Sequence, residues 1–251
     1  MSPATVALVV FACVFGAAFL ATRLRESMPE HHLSSDTKDT VKLAMGLVAT
    51  MTALVLGLLV ASAKGAYDAQ KSAVITSAAK LMVLDLGMAH YGPEAAPARV
   101  ALRQAVEDMV GKLWPDHHLK PAILDPNTVA GTKVYDSVES LVPQNDPQRD
   151  LKSELRKSTL EMGQIRWLLF AESGSAITVP LLAVVVCWLA LLFFSFGLFA
   201  PPNHTALLAL FVSALSVSGA IFLILELDQP FDGLIRISSR PMDMVLVHLG
   251  K

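Results

Sequence analysis

Few charged side chains in this sequence are placed where they could do chemistry inside a folded core. Asp85 lies on the apolar side of a helical pattern, next to Leu81 and Met82, where an unpaired carboxylate would be costly. Arg99 and Arg103 follow on the next helical pattern and are the candidate partners. We therefore predict a structural ion pair that Asp85 forms with these arginines, with a functional site as the alternative.

Metal-binding and catalytic patterns are not found. Adjacent helical residues diverge by about 100°, so neither the pair His31–His32 nor the pair His117–His118 presents two ligands on one helix face. Cys13 and Cys187 both fall inside apolar runs, which is not the pattern of a zinc site or a disulfide framework. The sequence has no phosphate-binding glycine loop and no nucleophile elbow. We expect no metal, no cofactor and no enzymatic activity.

The composition is that of a membrane protein. The chain has 251 residues, of which 53% are apolar, and its mean hydropathy is +0.52. Only 17% of the residues are charged, against about 25% in ordinary soluble domains. The net charge of −2 gives no reason to expect nucleic acid as a partner. Membrane lipid is the expected surrounding.

Four apolar runs are long enough to cross a bilayer as helices, which takes roughly 20 residues. They cover residues 3–22, 43–63, 175–199 and 205–225. The predicted fold is an all-α membrane protein with two transmembrane hairpins and a helical soluble bundle inserted between spans two and three. The predicted domains are a first hairpin (1–63), a helical insert (64–174), a second hairpin (175–225) and an interfacial tail (226–251).

The insert has helical periodicity and several helix-boundary signals. Gly92–Pro93 should break a helix that continues from span two, and Asp146–Pro147 is typical of a cap followed by a first-turn proline. A short helix is predicted near 129–142, and the proline-rich stretch that begins at Trp114 predicts a loop.

Basic residues near the span ends indicate the orientation. The loop between spans one and two contains Arg23, Arg25, Lys38 and Lys42, and the loop between spans three and four contains no lysine or arginine. More basic residues flank the insert and lie near the C-terminus. The pattern predicts that the insert and both termini are cytoplasmic.

Span two carries a ridge of small residues at helical spacing. Its predicted members are Gly46, Thr50, Ala53, Gly57 and Ala61. Such ridges allow helix backbones to approach closely. One interpretation is packing against another span of the same subunit. The other is that several copies of span two surround an axis, with this ridge lining a narrow pore and Lys42 and Lys64 at its two mouths.

These interpretations lead to two functions. No Asp, Glu, Lys or Arg lies deep in any span, which argues against proton-coupled transport. A homo-oligomeric channel is one hypothesis, and the basic mouths would favour anions over cations. The alternative is a non-conducting scaffold whose cytoplasmic bundle binds a protein partner or organises lipid.

The segment after span four combines acids, a helix-breaking proline and a further apolar strip. The residues of interest are Glu226, Asp228, Pro230, Phe231, Gly233 and Arg236. Proline and glycine should end the helix and turn the chain, leaving the arginine to pair with an acid or with lipid phosphate. We interpret the segment as an interfacial tail that anchors the second hairpin. A gate, or a vestibule that attracts cations, is the alternative.

Three segments carry a family resemblance: "LLVASAKGAYDAQ", "HYGPEAAPARVALR" and "LELDQPFDGLIRISSRP". In that order, around four spans, they resemble the bestrophin-like domain family of bacterial and plant membrane proteins. That family is distantly similar to bestrophins, which are pentameric anion channels lined by their second span. The chain lacks the aromatic-rich neck and acidic calcium clasp of bestrophins. The resemblance therefore implies an architecture and a bacterial inner-membrane location, but no residue roles.

Overall fold

The computed structural model of the protein describes residues 2–25, 27–28, 35–115, 129–171, 177–201 and 203–250. Regular structure in these ranges is helical, and no strand occurs in them. The all-α prediction is confirmed. Both histidine pairs, His31–His32 and His117–His118, lie outside the described residues.

The α-helices, in chain order, are α1 (Pro3–Arg25), α2 (Ser35–Tyr91), α3 (Ala96–Leu113), α4 (Val129–Glu139), α5 (Asp146–Ala171), α6 (Val179–Phe199), α7 (His204–Leu227) and α8 (Arg240–His248). A 3₁₀ turn at Pro93–Ala95 separates α2 from α3. The chain forms two compact units: Met1–Gly65 with Ala176–Asp228 (unit 1), and Ala66–Ser175 with Gln229–Lys251 (unit 2).

The helix boundaries follow local signals. Gly92 has φ 124°, a conformation that favours glycine, and it ends α2 just before Pro93. The predicted helix start at Asp146 is confirmed, but Asn145 supplies the cap, because its Oδ1 accepts from the backbone N–H of Gln148 at 2.9 Å.

Four helices of the described chain are long and apolar enough to cross a membrane: α1, α2, α6 and α7. This confirms that the chain is a multi-pass membrane protein by length and composition. In unit 1, α1 lies against both α6 and α7. Val10, Val14 and Ala18 are spaced four residues apart on α1 and are all buried in that core.

Helices α1 and α6 approach each other closely at Gly197. A Cβ built on Gly197 would meet the backbone of Ala18, with the Cα of Ala18 only 3.0 Å away. Phe211 of α7 packs edge-on against Phe11 and Phe15 of α1. Where α1 ends, Arg25 donates a hydrogen bond to the carbonyl of Ala200. These contacts make α1, α6 and α7 one packed group.

Unit 2 has its own hydrophobic core, built from the later part of α2 and from α3, α4, α5 and α8. Large side chains in it include Leu84, Met88 and Tyr91, each at most 2% exposed. Gly87 of α2 lies against Leu155 of α5, and a built Cβ would be 2.9 Å from the Leu155 Cδ2 atom. The described part of unit 2 therefore forms a packed helical core.

The helix α8 was not predicted, because residues 226–251 were expected to form an interfacial tail. The structure extends α7 to Leu227 and then brings the rest of the segment into the core of unit 2. The core residues contributed by this segment are Phe231, Ile237, Met242, Val245 and Leu249. At these positions the tail is part of the helical unit.

Replacing Gly197 with alanine should weaken unit 1, because the added methyl group meets the rigid backbone of Ala18. Overpacking of this kind typically costs about 1–3 kcal/mol. Gly219→Ala on α7 is the matched control, since nothing lies within 4 Å of its built Cβ. We expect lower unfolding free energy in mixed micelles for Gly197→Ala only. Equal effects of the two changes would contradict the close α1–α6 contact.

Candidate functional site

The small-residue ridge of α2 faces outward from the single chain. Every predicted member is exposed: Gly46, Thr50, Ala53, Gly57 and Ala61. A Cβ built on either ridge glycine meets nothing within 4 Å. Within the described chain, the ridge is therefore not covered by α1, α6 or α7.

The opposite face of α2 packs into unit 1. Leu59 and Ala63 are at most 3% exposed and belong to the unit 1 core, and Thr52 is also buried. Gly57 follows Thr52 by five residues, which rotates it by about 140° around a helix of 3.6 residues per turn. The helix thus has a buried face and, nearly opposite, an uncovered small-residue face.

The polar groups of this part of α2 are bonded within their own helix. Thr50 Oγ1 donates to the carbonyl of Gly46 at 2.9 Å, and Thr52 Oγ1 donates to that of Val48 at 2.7 Å. Such back-bonding satisfies a hydroxyl group in an apolar environment. The uncovered face is therefore weakly polar, and Thr50 is its hydroxyl-bearing member.

Lys42 and Lys64 lie on either side of the apolar stretch of α2, and both are exposed. Lys42 Nζ lies 3.2 Å from Asp39 Oδ1, one turn earlier, in an ion pair that is itself largely exposed. The carboxylate of Asp39 thus partly balances the charge of Lys42.

Asp85 and Arg99 form a two-point ion pair in unit 2. Arg99 Nε donates to Asp85 Oδ1 at 2.8 Å, and Arg99 Nη2 donates to Asp85 Oδ2 at 2.9 Å. The side chain of Asp85 is only 8% exposed and that of Arg99 is 20% exposed. The hydrogen bond to Asp85 raises the pKa of Arg99, while burial acts in the opposite direction. This geometry is the strong form of an arginine–carboxylate contact.

Arg103, the other predicted partner, bonds elsewhere. Its Nε donates to Glu107 at 3.0 Å and its Nη1 donates to the carbonyl of Leu249 at 3.2 Å. The backbone N–H of Gly250 in turn donates to Asp85 at 3.4 Å. The two arginines therefore have different partners. Arg99 pairs with the carboxylate of Asp85, and Arg103 donates to the carbonyl of Leu249 at the end of α8.

The segment before α8 is fixed by an aromatic contact. Phe231 packs edge-on against Trp114, with ring centroids 5.7 Å apart. Trp114 Nε1 donates to the carbonyl of Ile237 at 2.8 Å, and the backbone N–H of Ile237 donates to the carbonyl of Pro230 at 2.7 Å. Gly233 turns the chain between them with φ 81°. The "QPFDGLIRI" motif is thus a turn closed on Trp114.

The charged residues of the same segment lie in different environments. Glu226 is 4% exposed in the last turn of α7, and Asp228 is half-buried just after it. Arg236 is exposed in unit 2. Glu226, one of the acids that suggested a cation-attracting vestibule, is therefore not exposed on the surface of the described chain.

A second ion pair joins α2 to α5. Lys80 Nζ donates to Glu161 Oε2 at 2.6 Å, and this hydrogen bond lowers the pKa of Glu161 below its usual value. Both side chains are more than a third exposed, so solvent weakens the contribution of this pair to stability. No group of three or more His, Cys, Asp or Glu residues comes together within the described ranges.

Some of the contacts that shape the site could have been found from the sequence. Met242, Val245 and Leu249 recur at three- and four-residue spacing after Pro241, and this pattern is a helix signal. The pairing of Trp114 with Ile237 has no such signal, because the two residues are 123 positions apart.

Comparison with protein families matches the bestrophin-like domain over residues 10–242. Because this match covers most of the chain, the protein belongs to the bestrophin-like family. No curated protein and no solved structure matches it. The family resemblance carried by the three quoted segments is confirmed.

Asp85→Ala should destabilise unit 2 by about 3 kcal/mol, because it removes two charge-assisted hydrogen bonds from the largely buried Arg99. We expect the double change Asp85→Ala with Arg99→Ala to cost less than the sum of the two single changes. The measurement is a double-mutant cycle of unfolding free energies.

Glu107→Ala is the control for this cycle, since its pair with Arg103 is about half exposed and should contribute less than about 1 kcal/mol. Additive effects of Asp85 and Arg99, or equal coupling of Asp85 to Arg103, would refute the assignment.

Proposed function

We propose that the protein is a homo-oligomeric, pore-forming membrane protein in which α2 of each copy surrounds a central axis. The observation that carries the proposal is the uncovered face of α2. Only 11% of the most apolar window of α2 is buried within the chain, against 22% for α1, 33% for α6 and 28% for α7. Of the four spans, α2 has the smallest share of residues buried within a single chain.

A second copy is the partner that best suits this face. Glycine and alanine offer little side-chain surface for contact with lipid. Glycine also weakens a helix by roughly 1 kcal/mol relative to alanine. Small residues at four-residue spacing do permit close helix–helix approach in membranes. Since α1, α6 and α7 pack with one another, other copies of α2 are the natural candidates.

An axis lined by these residues would be a narrow and mainly apolar pore. Constrictions of this kind can gate by dewetting, and Thr50 would be a polar contact. Spans without deep charges are suited to passive conduction rather than to coupled transport. The proposed role is therefore non-enzymatic and uses no cofactor.

Anions are the proposed permeant class. Lys42 and Lys64 would form basic rings at the two mouths, and basic rings favour anions. The ion pair of Lys42 with Asp39 reduces the charge at that mouth.

The proposed location is the bacterial inner membrane, with unit 2 as a cytoplasmic insert between the two hairpins and with both termini cytoplasmic. The distribution of lysine and arginine near the span ends supports this orientation.

A non-conducting scaffold is the second candidate. The hydroxyl groups of Thr50 and Thr52 are bonded to their own helix, which also suits a dry contact between α2 helices. In that case the uncovered face would close completely on assembly, and unit 2 would bind a partner or organise lipid.

Single-channel recording of the purified protein in planar bilayers, with substitution of the permeant ion, tests the function directly. We expect Gly57→Leu to leave the oligomer intact and to abolish most of the current, because added side chains would narrow and dry the axis. Gly57→Ser should ease wetting and increase the current. Native mass spectrometry of the same samples reports assembly.

Gly219→Leu is the matched control, since Gly219 is an exposed glycine of α7 with nothing within 4 Å of its built Cβ. It should change neither assembly nor current. A loss of assembly with Gly57→Leu would favour the closed scaffold contact. Wild-type protein that never conducts would reject the channel.

Cysteine labelling in intact cells tests the orientation. In a Cys13→Ala/Cys187→Ala background, the thiol of Ser27→Cys should react with a membrane-impermeant reagent. That of Val142→Cys, which is highly exposed in unit 2, should react only after permeabilisation. The reverse pattern would place the insert outside the cytoplasm.

A further inference from the structure

Unit 2 contains a cavity that the proposed pore does not use. It has a volume of about 520 Å³ and is lined by α2, α3, α4 and α5. This volume lies within the range of small-molecule sites, which is about 300–1,000 Å³. Most of its lining is aliphatic or aromatic.

The cavity is elongated. It is lined on α3 from Leu102 to Leu113 and on α5 from Thr159 to Phe170. Eleven helical steps at 1.5 Å each correspond to about 16 Å. An extended chain fits this shape better than a compact ring system.

The two helices run in the same direction along the cavity. Gln148, in the first turn of α5, donates from Nε2 to the carbonyl of Tyr91 at 2.9 Å. Tyr91 ends α2 beside the turn from which α3 departs. Both α3 and α5 therefore begin at the same end of unit 2, and later residues of each lie toward the other end.

The cations of the lining lie toward that other end. Lys112 is near the C-terminus of α3 and Arg166 is near that of α5, and the described lining residues include no Asp or Glu. Lys112 also pairs with Asp108 at 2.9 Å, outside the lining. The guanidinium of Arg166 lies against Gly131 of α4, which leaves space for it by having no side chain.

The two ends differ in exposure as well as in charge. Leu84, Leu102 and Val106 line the cavity and are each 2% exposed, whereas Trp167 and Phe170 of the lining are 50% and 41% exposed. The most deeply buried lining residues are thus aliphatic, and the cations lie in the same part as these two exposed aromatic residues.

We propose that this cavity binds a fatty acid, with its chain among the buried aliphatic residues and its carboxylate on Arg166 and Lys112. Guanidinium groups bind carboxylates through charge-assisted hydrogen bonds. A carboxylate gains an attraction to these two side chains that a neutral head group lacks, and a cationic amphiphile would be repelled by them. The inference does not depend on conduction.

Protection of an engineered thiol tests the proposal in the full chain. Ala105 lines the cavity, whereas its neighbour Gln104 is exposed and outside it. Ala105→Cys and Gln104→Cys, in the Cys13→Ala/Cys187→Ala background, are reconstituted in lipid nanodiscs without detergent. The rate of modification by a small methanethiosulfonate is measured with dodecanoate, dodecanol or dodecyltrimethylammonium present.

We expect dodecanoate to slow modification at Ala105→Cys and not at Gln104→Cys, and to do so at lower concentration than the other two amphiphiles. Arg166→Gln should raise the half-protecting concentration of dodecanoate by roughly tenfold, as expected for one lost hydrogen bond between charged groups. Protection by dodecanol should not change, and Arg166→Lys should restore part of the loss.

Gly131→Ala and Lys112→Gln provide independent variants if Arg166→Gln does not fold. The methyl group of Gly131→Ala would displace the guanidinium, whose Cζ lies 2.8 Å from the built Cβ. Equal protection by all three head groups, or no protection at Ala105→Cys, would overturn the proposal. So would a dodecanoate response that none of these three changes alters.

Discussion

Close backbone contact between α1 and α6 is the constraint on which unit 1 depends. Inside a bilayer the hydrophobic effect does not bring helices together, so tight packing and interhelical hydrogen bonds must do so. Gly197 against Ala18 provides such packing, and Phe211 fills the space beside Phe11 and Phe15 on α7. Because α1, α6 and α7 pack against one another, the small-residue face of α2 remains uncovered within the described chain.

Unit 2 depends on a different balance, because its core is aliphatic but contains a carboxylate. Asp85 is tolerated there since Arg99 meets both of its oxygens. The same corner receives the end of α8, where Arg103 bonds Leu249 and Gly250 donates to Asp85. One buried acid therefore organises contacts from α2, α3 and the C-terminal segment.

The sequence predicted those parts of the fold that local patterns determine. The predicted ends of spans one, three and four lie within four residues of the ends of α1, α6 and α7, because each is a continuous apolar run bounded by charge, proline or an N-cap. Span two, predicted at 43–63, lies inside the much longer α2. The start of α5 at Asp146 was predicted for the same reason. The ridge around Gly57 was recognised from its spacing, but its exposure follows from how α1, α6 and α7 pack without it. No local pattern records that.

Long-range contacts escaped prediction for a physical reason. Trp114 and Ile237 meet because two distant segments bury apolar surface in one core, and neither segment alone indicates the other. The cavity likewise arises from side chains on four helices, so its shape exists only after they pack. The choice of Arg99 over Arg103 for Asp85 depended on helix rotation, which spacing alone does not determine.

The division of unit 2 between two distant stretches of chain bears on the order of synthesis. Of unit 2, residues 66–175 are made first, but their core also needs Phe231, Ile237 and α8, which are made after the last helices of unit 1. At roughly 5–20 residues per second, several seconds separate the two stretches. During that interval Trp114 and Asp85 lack their C-terminal contacts, and part of the apolar core is uncovered. The apolar core of unit 2 is therefore complete only after the segment from Phe231 to Leu249 has been made.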